Sequence, residues 1–390
     1  MNRRCFLQAA AEGMAAGSLI GGASAATTGP QPAFSIEVPR DGAVLNHRHG
    51  TQVADGLKIT VRGRADKDLP VTVNGVAAKR EGDRFEAEIM LREKETDLVA
   101  VGSAEMRLEA RSRIVWDRYS EPRYRFSIDD NSFFLRDICQ KGYKSLFDCW
   151  YLQMLRDLNR KYGAKFSVNI YYTTGDDFSL PQFPDRYRGE WRDNSGWLRL
   201  AFHAHADKPD RPYQDAPPEK LLADLDQVVE QIHRFAGEEA YAPPTVIHWG
   251  MTRQESLKPL TSRGVRALSG YFRMPNGSYD VNYRFSDEVS DYVSRHDAWK
   301  DFNSGIIFSH VDIVCNTVPL EEIVPALEPQ VQDPNTAEII DLFTHEQYFW
   351  PFYRNYLPDH PQRLDTAIRW VTDHGYKPVF LHEGFLGGRE

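Results

Sequence analysis

Arg123-Tyr124-Arg125-Phe126-Ser127-Ile128-Asp129-Asp130 decides the fold. It reads as a buried strand that ends in two acids, and further strands and helices alternate after it. Helical spacing runs from Leu146 to Tyr162, with Gly163 as a stop, and Ala164 to Tyr172 reads as a second strand. Trp197 to His203 is a third strand, and the stretch from Pro217 to Phe235 is a helix with prolines at its start and Gly237 beyond it. Thr245 to His248 is expected to open a strand, Gln254 to Arg263 a helix, and Val265 to Phe272 the next strand. Ile339 to His345, a helix from Pro361 to His374, and Lys377 to His382 close the series. Strand, helix, strand in repeated order means parallel pairing with right-handed crossovers. The expected fold class is α/β, an incomplete (β/α)7 barrel over residues 120–390.

Upstream the texture changes. Leu57 to Arg62, Val71 to Val73, Phe85 to Ile89 and Met106 to Ala110 are short alternating runs separated by polar or glycine-containing turns. Alternation at this spacing predicts a small all-β sandwich over residues 31–115. The run from Val71 through Asn74-Gly75 to Val76, followed by Gly82 to Ala87, resembles immunoglobulin-like modules fused to secreted carbohydrate-active enzymes. The resemblance implies a glycan-binding module or a rigid spacer packed on the second domain.

The first residues read as an address. Arg3-Arg4 precede Phe6-Leu7, a small-residue stretch runs through Ala23, and Ala23-Ser24-Ala25 offers a cleavage site. Residues 1–25 look like a twin-arginine signal peptide, so a periplasmic or secreted location is expected. Beyond it stand Cys139, Cys149 and Cys315, an odd number that argues against a full disulfide framework. Cys139 and Cys149 could pair, or all three could be small buried side chains.

Composition narrows the partners. The chain has 390 residues, 41% of them hydrophobic and 26% charged, enough to bury a sizeable core. A net charge of -9, with basic residues scattered, lacks the footprint that a phosphate backbone requires, so no nucleic-acid partner is expected. No apolar run approaches the ~20 residues of a membrane-spanning helix. The oligomeric state stays open.

Polar residues gather at the C-terminal ends of the expected strands: Asp129-Asp130, His203-Ala204-His205-Ala206-Asp207, His248-Trp249 and His345-Glu346. In α/β barrels those ends converge on one mouth, where active sites are built. Carboxylates and imidazoles together suit a divalent metal such as zinc, whose bound water becomes a nucleophile near neutral pH. Aromatic residues around the expected mouth, among them Tyr171, Tyr172, Trp191, Trp197, Trp249, Tyr348, Phe349 and Trp350, suit either sugar rings or a large core.

This order of elements resembles the polysaccharide deacetylase superfamily, carbohydrate esterase family 4 and its relatives, over roughly Tyr124 to Phe385. Members open with Thr-Phe-Asp-Asp-Gly, which Phe126-Ser127-Ile128-Asp129-Asp130-Asn131 is similar to. The resemblance implies Asp129 as base and Asp130 as metal ligand. It implies His203 as the next ligand, while the family's second histidine falls to either His205 or Asp207. The family's Arg-x-Pro-Tyr segment has its place at Val246 to Gly250 and its text at Arg273-Met274-Pro275, which makes His248, Trp249 and Arg273 substrate-binding candidates beside Glu346. Leu342-Phe343-Thr344-His345 stands where the family's last motif does, implying His345 as general acid, with Leu381-His382-Glu383 as a decoy. The implied function is a metal-dependent hydrolase removing acyl groups from a polysaccharide or oligosaccharide. The same equipment could hydrolyse a glycosidic bond or eliminate at a uronate, and a non-catalytic carbohydrate-binding protein is the alternative of a different class.

Overall fold

The computed structural model describes residues 34–103 and 107–388, so the expected signal peptide lies outside the described residues. The first unit is two five-stranded sheets facing each other. One sheet centres on the antiparallel pair Gly56–Arg64 and Arg84–Leu91, the other on Glu95–Gly102 and Leu108–Trp116. Alternation does the work here: Leu57, Ile59 and Val61 from one sheet meet Leu98, Ala100 and Ile114 from the other in a single core.

In the second unit Arg123–Asn131 is the central strand. Parallel pairings run one way through Phe166–Tyr171 to Leu198–Ala204, and the other way through Ile339–His345 to Ile313–Val314. A second sheet joins Ala267–Gly270 to Ile307–His310 in parallel and adds Trp299–Lys300 antiparallel. Isolated backbone bonds link the two sheets: Ala242 N to Leu200 O (2.8 Å), Ser269 N to Thr245 O (2.7 Å), Val311 N to Gly270 O (3.0 Å) and Asp312 N to Asp341 O (3.1 Å). The result is a mixed α/β, barrel-like ring, interrupted at 241–246 and at 311–312.

Several elements differ from expectation. Thr245 to His248 forms no strand: Pro243 and Pro244 have no N–H to give a ladder, so pairing is reduced to the bridge Leu200 to Tyr241 and isolated bonds at Ala242 and Thr245, and His248–Gly250 is a single 3-10 turn. Pro378 likewise limits the last strand to Lys377–Pro378, and Leu381–Gly384 is a short helix. The run Gly305 to Cys315, where no strand is expected, supplies two strands, and Phe133–Lys141 is an additional helix. The expected helices form where apolar spacing and stops agree. Trp150–Tyr162 buries Tyr151, Leu152, Leu155 and Leu158 and ends at left-handed Gly163, and Pro218–Phe235 buries Leu221, Leu225, Val228 and Ile232.

The central strand sends Tyr124, Phe126 and Ile128 into the apolar layer beneath the helices. Arg125, Ser127 and Asp129 alternate to the other face, inside the ring. There Arg125 pairs with Asp341 (3.2 Å), which also accepts from Ser269 (2.6 Å).

The two units are packed together. Trp299 Nε1 donates to Asp41 O (2.7 Å), Lys300 N to Gly42 O (2.7 Å), and Val115 shares a small core with Ala298, Ile307 and Leu381. Cys139, Cys149 and Cys315 are unpaired thiols, the last two buried. Among the described residues no helix is long and apolar enough to cross a membrane.

Candidate active site

The period of a strand allows one of two adjacent residues to face the mouth, yet Asp129 and Asp130 both take part in one polar cluster. The reason is a bulge. Pairing with Phe166–Tyr171 shifts register between Ile128 and Asn131, and Asp130 adopts φ 59, in the left-handed region. A second shift between Ile170 and Tyr171, where the partner moves from Phe202 to Ala204, falls at His203. Each irregularity re-aims a polar side chain at a strand end.

The converging atoms are Asp130 Oδ1, His203 Nε2 and His248 Nδ1. His203 Nε2 lies 2.8 Å from His248 Nδ1 and 3.0 Å from Asp130 Oδ1, and His248 Nδ1 is 3.7 Å from Asp130 Oδ1. Among the described residues this trio is the group with metal-holding geometry. Tetrahedral bonds of about 2.0–2.2 Å require donor separations of about 3.3–3.6 Å, which the observed values bracket. Two imidazole nitrogens facing each other need a proton or a cation between them, so the residues fit a divalent ion of zinc's preferences.

The surroundings fix these donors. Tyr171 donates its phenol to Asp130 Oδ1 and lies 3.4 Å from His248 Nδ1, and Gln347 Nε2 donates to Asp130 Oδ2 (2.8 Å). Asn169 donates to Asp129 Oδ1 (2.6 Å) and to Thr245 (2.5 Å). On the neighbouring strand His345 pairs in register with Asp129, and its Nδ1 is 3.0 Å from Asn316 Oδ1.

Burial sets the protonation. Asp129 is pushed up to about 7 by burial, with the charge of Asp130 adding to it against His203 and Asn169. Burial works the same way on Asp130, but the hydrogen bond from His203 and the nearby imidazoles outweigh it and hold Asp130 well below the usual carboxylate range. His248 is pushed down to about 3 by burial and by His203, which leaves its ring neutral with a lone pair to offer. His203 is raised, since Asp129, Asp130 and Asp207 together overcome its burial. A proton on His203 therefore competes with a cation for the same donors.

The other expected residues fall in different places. His205 stacks on Tyr172 (ring centroids 5.0 Å apart), and Asp207 feels the charge of Asp130 without entering the trio. The third donor is His248, expected as a substrate contact. Trp249 follows it, half-buried beneath Arg211. Arg273 is exposed and pairs with Asp291 (3.5 Å), away from the trio. Glu346 is fully buried and accepts from the N–H groups of Ser132 (2.6 Å), Phe133 (2.9 Å) and Phe134 (2.6 Å) and from Trp350 Nε1 (3.0 Å). It closes the start of the Phe133–Lys141 helix, so its oxygens serve the chain itself. His382 packs on Phe380 and lies 3.0 Å from Arg199, near the start of the Leu198–Ala204 strand and so at the opposite end from His203. Of the aromatics, Trp191, Phe349 and Trp350 are core. Tyr171, expected only as an aromatic of the mouth, holds Asp130, and Asn169, Gln347 and Asn316 are not marked by the sequence motifs. A polar Asn169 within an apolar strand was the one legible signal.

No protein-family model matches the sequence, and no curated protein matches it. Solved structures similar to the chain include a peptidoglycan N-acetylglucosamine deacetylase, 12% identical over 70% of this chain and 92% of its own, with a TM-score of 0.40. A CE4 esterase of Streptococcus mutans is 11% identical over 67% of this chain and 87% of its own, TM-score 0.33. A CE4 family pseudoenzyme from Bacillus anthracis is 11% identical over 68% of this chain and 66% of its own, TM-score 0.32. Likenesses this distant decide neither fold nor chemistry, and the chemistry is argued from the site's own geometry.

Proposed function

We propose that the chain is an exported, divalent-metal-dependent hydrolase that removes acyl groups from a polysaccharide or oligosaccharide, built as an immunoglobulin-like module followed by an incomplete barrel. One observation carries the reading: Asp130, His203 and His248 offer three donors at metal-binding separations while Asp129, poised near neutrality, stands beside them. A divalent ion held there, zinc by the donor set, would polarise an acyl carbonyl and acidify water.

The chain's own residues supply the proton transfers. Asp129, oriented by Asn169, takes the proton of the attacking water. His345, when protonated, gives its proton to the departing sugar oxygen or nitrogen, its ring held by Asn316 from the strand beside Asp129. Tyr171 and Gln347 hold Asp130 as a carboxylate, the form in which it would bind the ion. Arg3-Arg4 support delivery by twin-arginine export.

The test is product analysis by mass spectrometry after incubating zinc-loaded protein with acetylated and uronate-containing glycans. Acetate release that stops in chelator and returns with zinc is the expected result. New reducing ends or unsaturated ends without acetate overturn deacylation in favour of glycosidic cleavage or elimination, and no product from any glycan favours a binding protein.

A further inference from the structure

Two loops at the mouth are tied together across the turn that carries His248. Arg211, from the loop after His205, forms a forked pair with Asp280 (2.9 and 2.6 Å), and Arg284 reaches back to Asp215 (2.8 Å) and to Gln214 O (3.0 Å). Beneath this stitching lies half-buried Trp249, with the Arg211 guanidinium over one face of its indole, 5.3 Å from the ring centroid.

The turn itself is held in a conformation that the local chain disfavours. Trp249 has φ 66 and Gly250 φ 54, two successive left-handed residues of which the first carries an indole. A Cβ at Gly250 would stand 2.6 Å from Val281 Cγ1, and Tyr283 N donates to Gly250 O (2.8 Å). Arg211, Val281, Tyr283 and Arg284 have positive φ as well. Backbone of this kind persists where the surroundings over-determine it, and such places concentrate at functional sites. Presenting His248 to a metal does not require a clamped neighbour. The clamp bears on Trp249, over whose ring the Arg211 guanidinium lies.

We propose that Arg211, held by Asp280, is a positioning residue that acts through Trp249, setting the indole beside the metal trio as the stacking surface for a sugar ring of the substrate. The proposal rests on the reading of the protein as a glycan-active enzyme. Sugar C–H faces pack on aromatic faces, and a ring fixed in advance loses less freedom when a ligand binds.

The experiment uses zinc-loaded full-length protein with N-acetylchitohexaose and acetylated xylohexaose as probes. KM and kcat are measured on the parent, and dissociation constants by calorimetry on an Asp129→Asn background. Arg211→Ala and Trp249→Ala should each raise KM and the dissociation constant about tenfold, with kcat within about twofold and zinc content unchanged. Asp280→Asn, which keeps the shape of the loop, should act in the same direction more weakly. The double variant Arg211→Ala/Trp249→Ala should be no worse than Trp249→Ala alone, since both remove one surface. Additive losses, an unchanged KM and dissociation constant in Arg211→Ala, loss of zinc in that variant, or failure of the parent to bind either probe overturns the proposal. Weakened binding in both variants without turnover by the parent leaves the clamp standing and removes the deacylase reading. Turnover by the parent with an unaffected Arg211→Ala does the reverse.

Discussion

His248 and His205 carry the same side chain, and their surroundings separate them. The Nδ1 of His248 lies among the donors of Asp130 and His203, whereas His205 spends its ring on Tyr172. His248→Ala should lower metal, measured by plasma mass spectrometry after gel filtration, from near one ion per chain to less than about a tenth, as losing one of three protein ligands demands. His205→Ala should keep its metal. Asp129→Asn separates binding from chemistry: the amide preserves the contact with Asn169 but cannot take a proton, so metal and fold stay while turnover falls about 10²–10⁴-fold. Equal metal loss in the two histidine variants would return the third ligand to the segment from His205 to Asp207.

Bulges and broken strands build the mouth. The register shift after Ile128 and the one before Tyr171 aim Asp130 and His203, and the proline-interrupted segment that replaces a fourth strand frees the chain to turn at His248–Gly250. That turn depends on Gly250. Alanine there meets both a positive φ and Val281, so Gly250→Ala should destabilise by about 1–3 kcal/mol. At about 1–2 °C per kcal/mol in a chain of this size, calorimetry should show a melting point a few degrees lower. Metal content should fall with it, since the strain displaces His248. A variant with parental melting point and metal would show that the turn relaxes freely.

Across the molecule, buried acids make stability depend on pH. Asp297, beneath the ring where the sandwich docks, is pushed up to about 8 by burial, with Asp312 adding to it and the Glu338 N–H, His310 and Arg123 opposing. A carboxyl raised in the folded state favours folding while protonated, so its contribution is full below about pH 4 and is lost as pH rises to about 8. Asp297→Asn keeps an acceptor for Glu338 N and removes this titration. It should melt like the parent at pH 4 and a few degrees higher at pH 8, in thermal scans across that range. Identical curves at both ends would mean that Asp297 is ionised throughout. Export belongs to the same scale: Arg3→Lys with Arg4→Lys should leave precursor in the cytoplasm, because the translocase reads guanidinium groups and not charge alone. An unchanged exported yield would refute the twin-arginine reading.

The sequence by itself determined what is local. Alternation in Leu57 to Arg62 and Phe85 to Ile89 specifies two-faced strands, and helical spacing with a glycine stop specifies Trp150–Tyr162, because those periods follow from backbone geometry. It also marked Asp129, Asp130, His203 and His345, since acids and imidazoles at the ends of apolar runs stand out against their neighbours. Tertiary structure decided which of them meet. Nothing local distinguishes His248 from His205, or tells that Glu346 turns to a helix start instead of the mouth. Those choices depend on register shifts and on loops from distant segments, such as Val281 pressing on Gly250. Contacts of that kind are made only when the ring closes, so they leave no period in the chain to read.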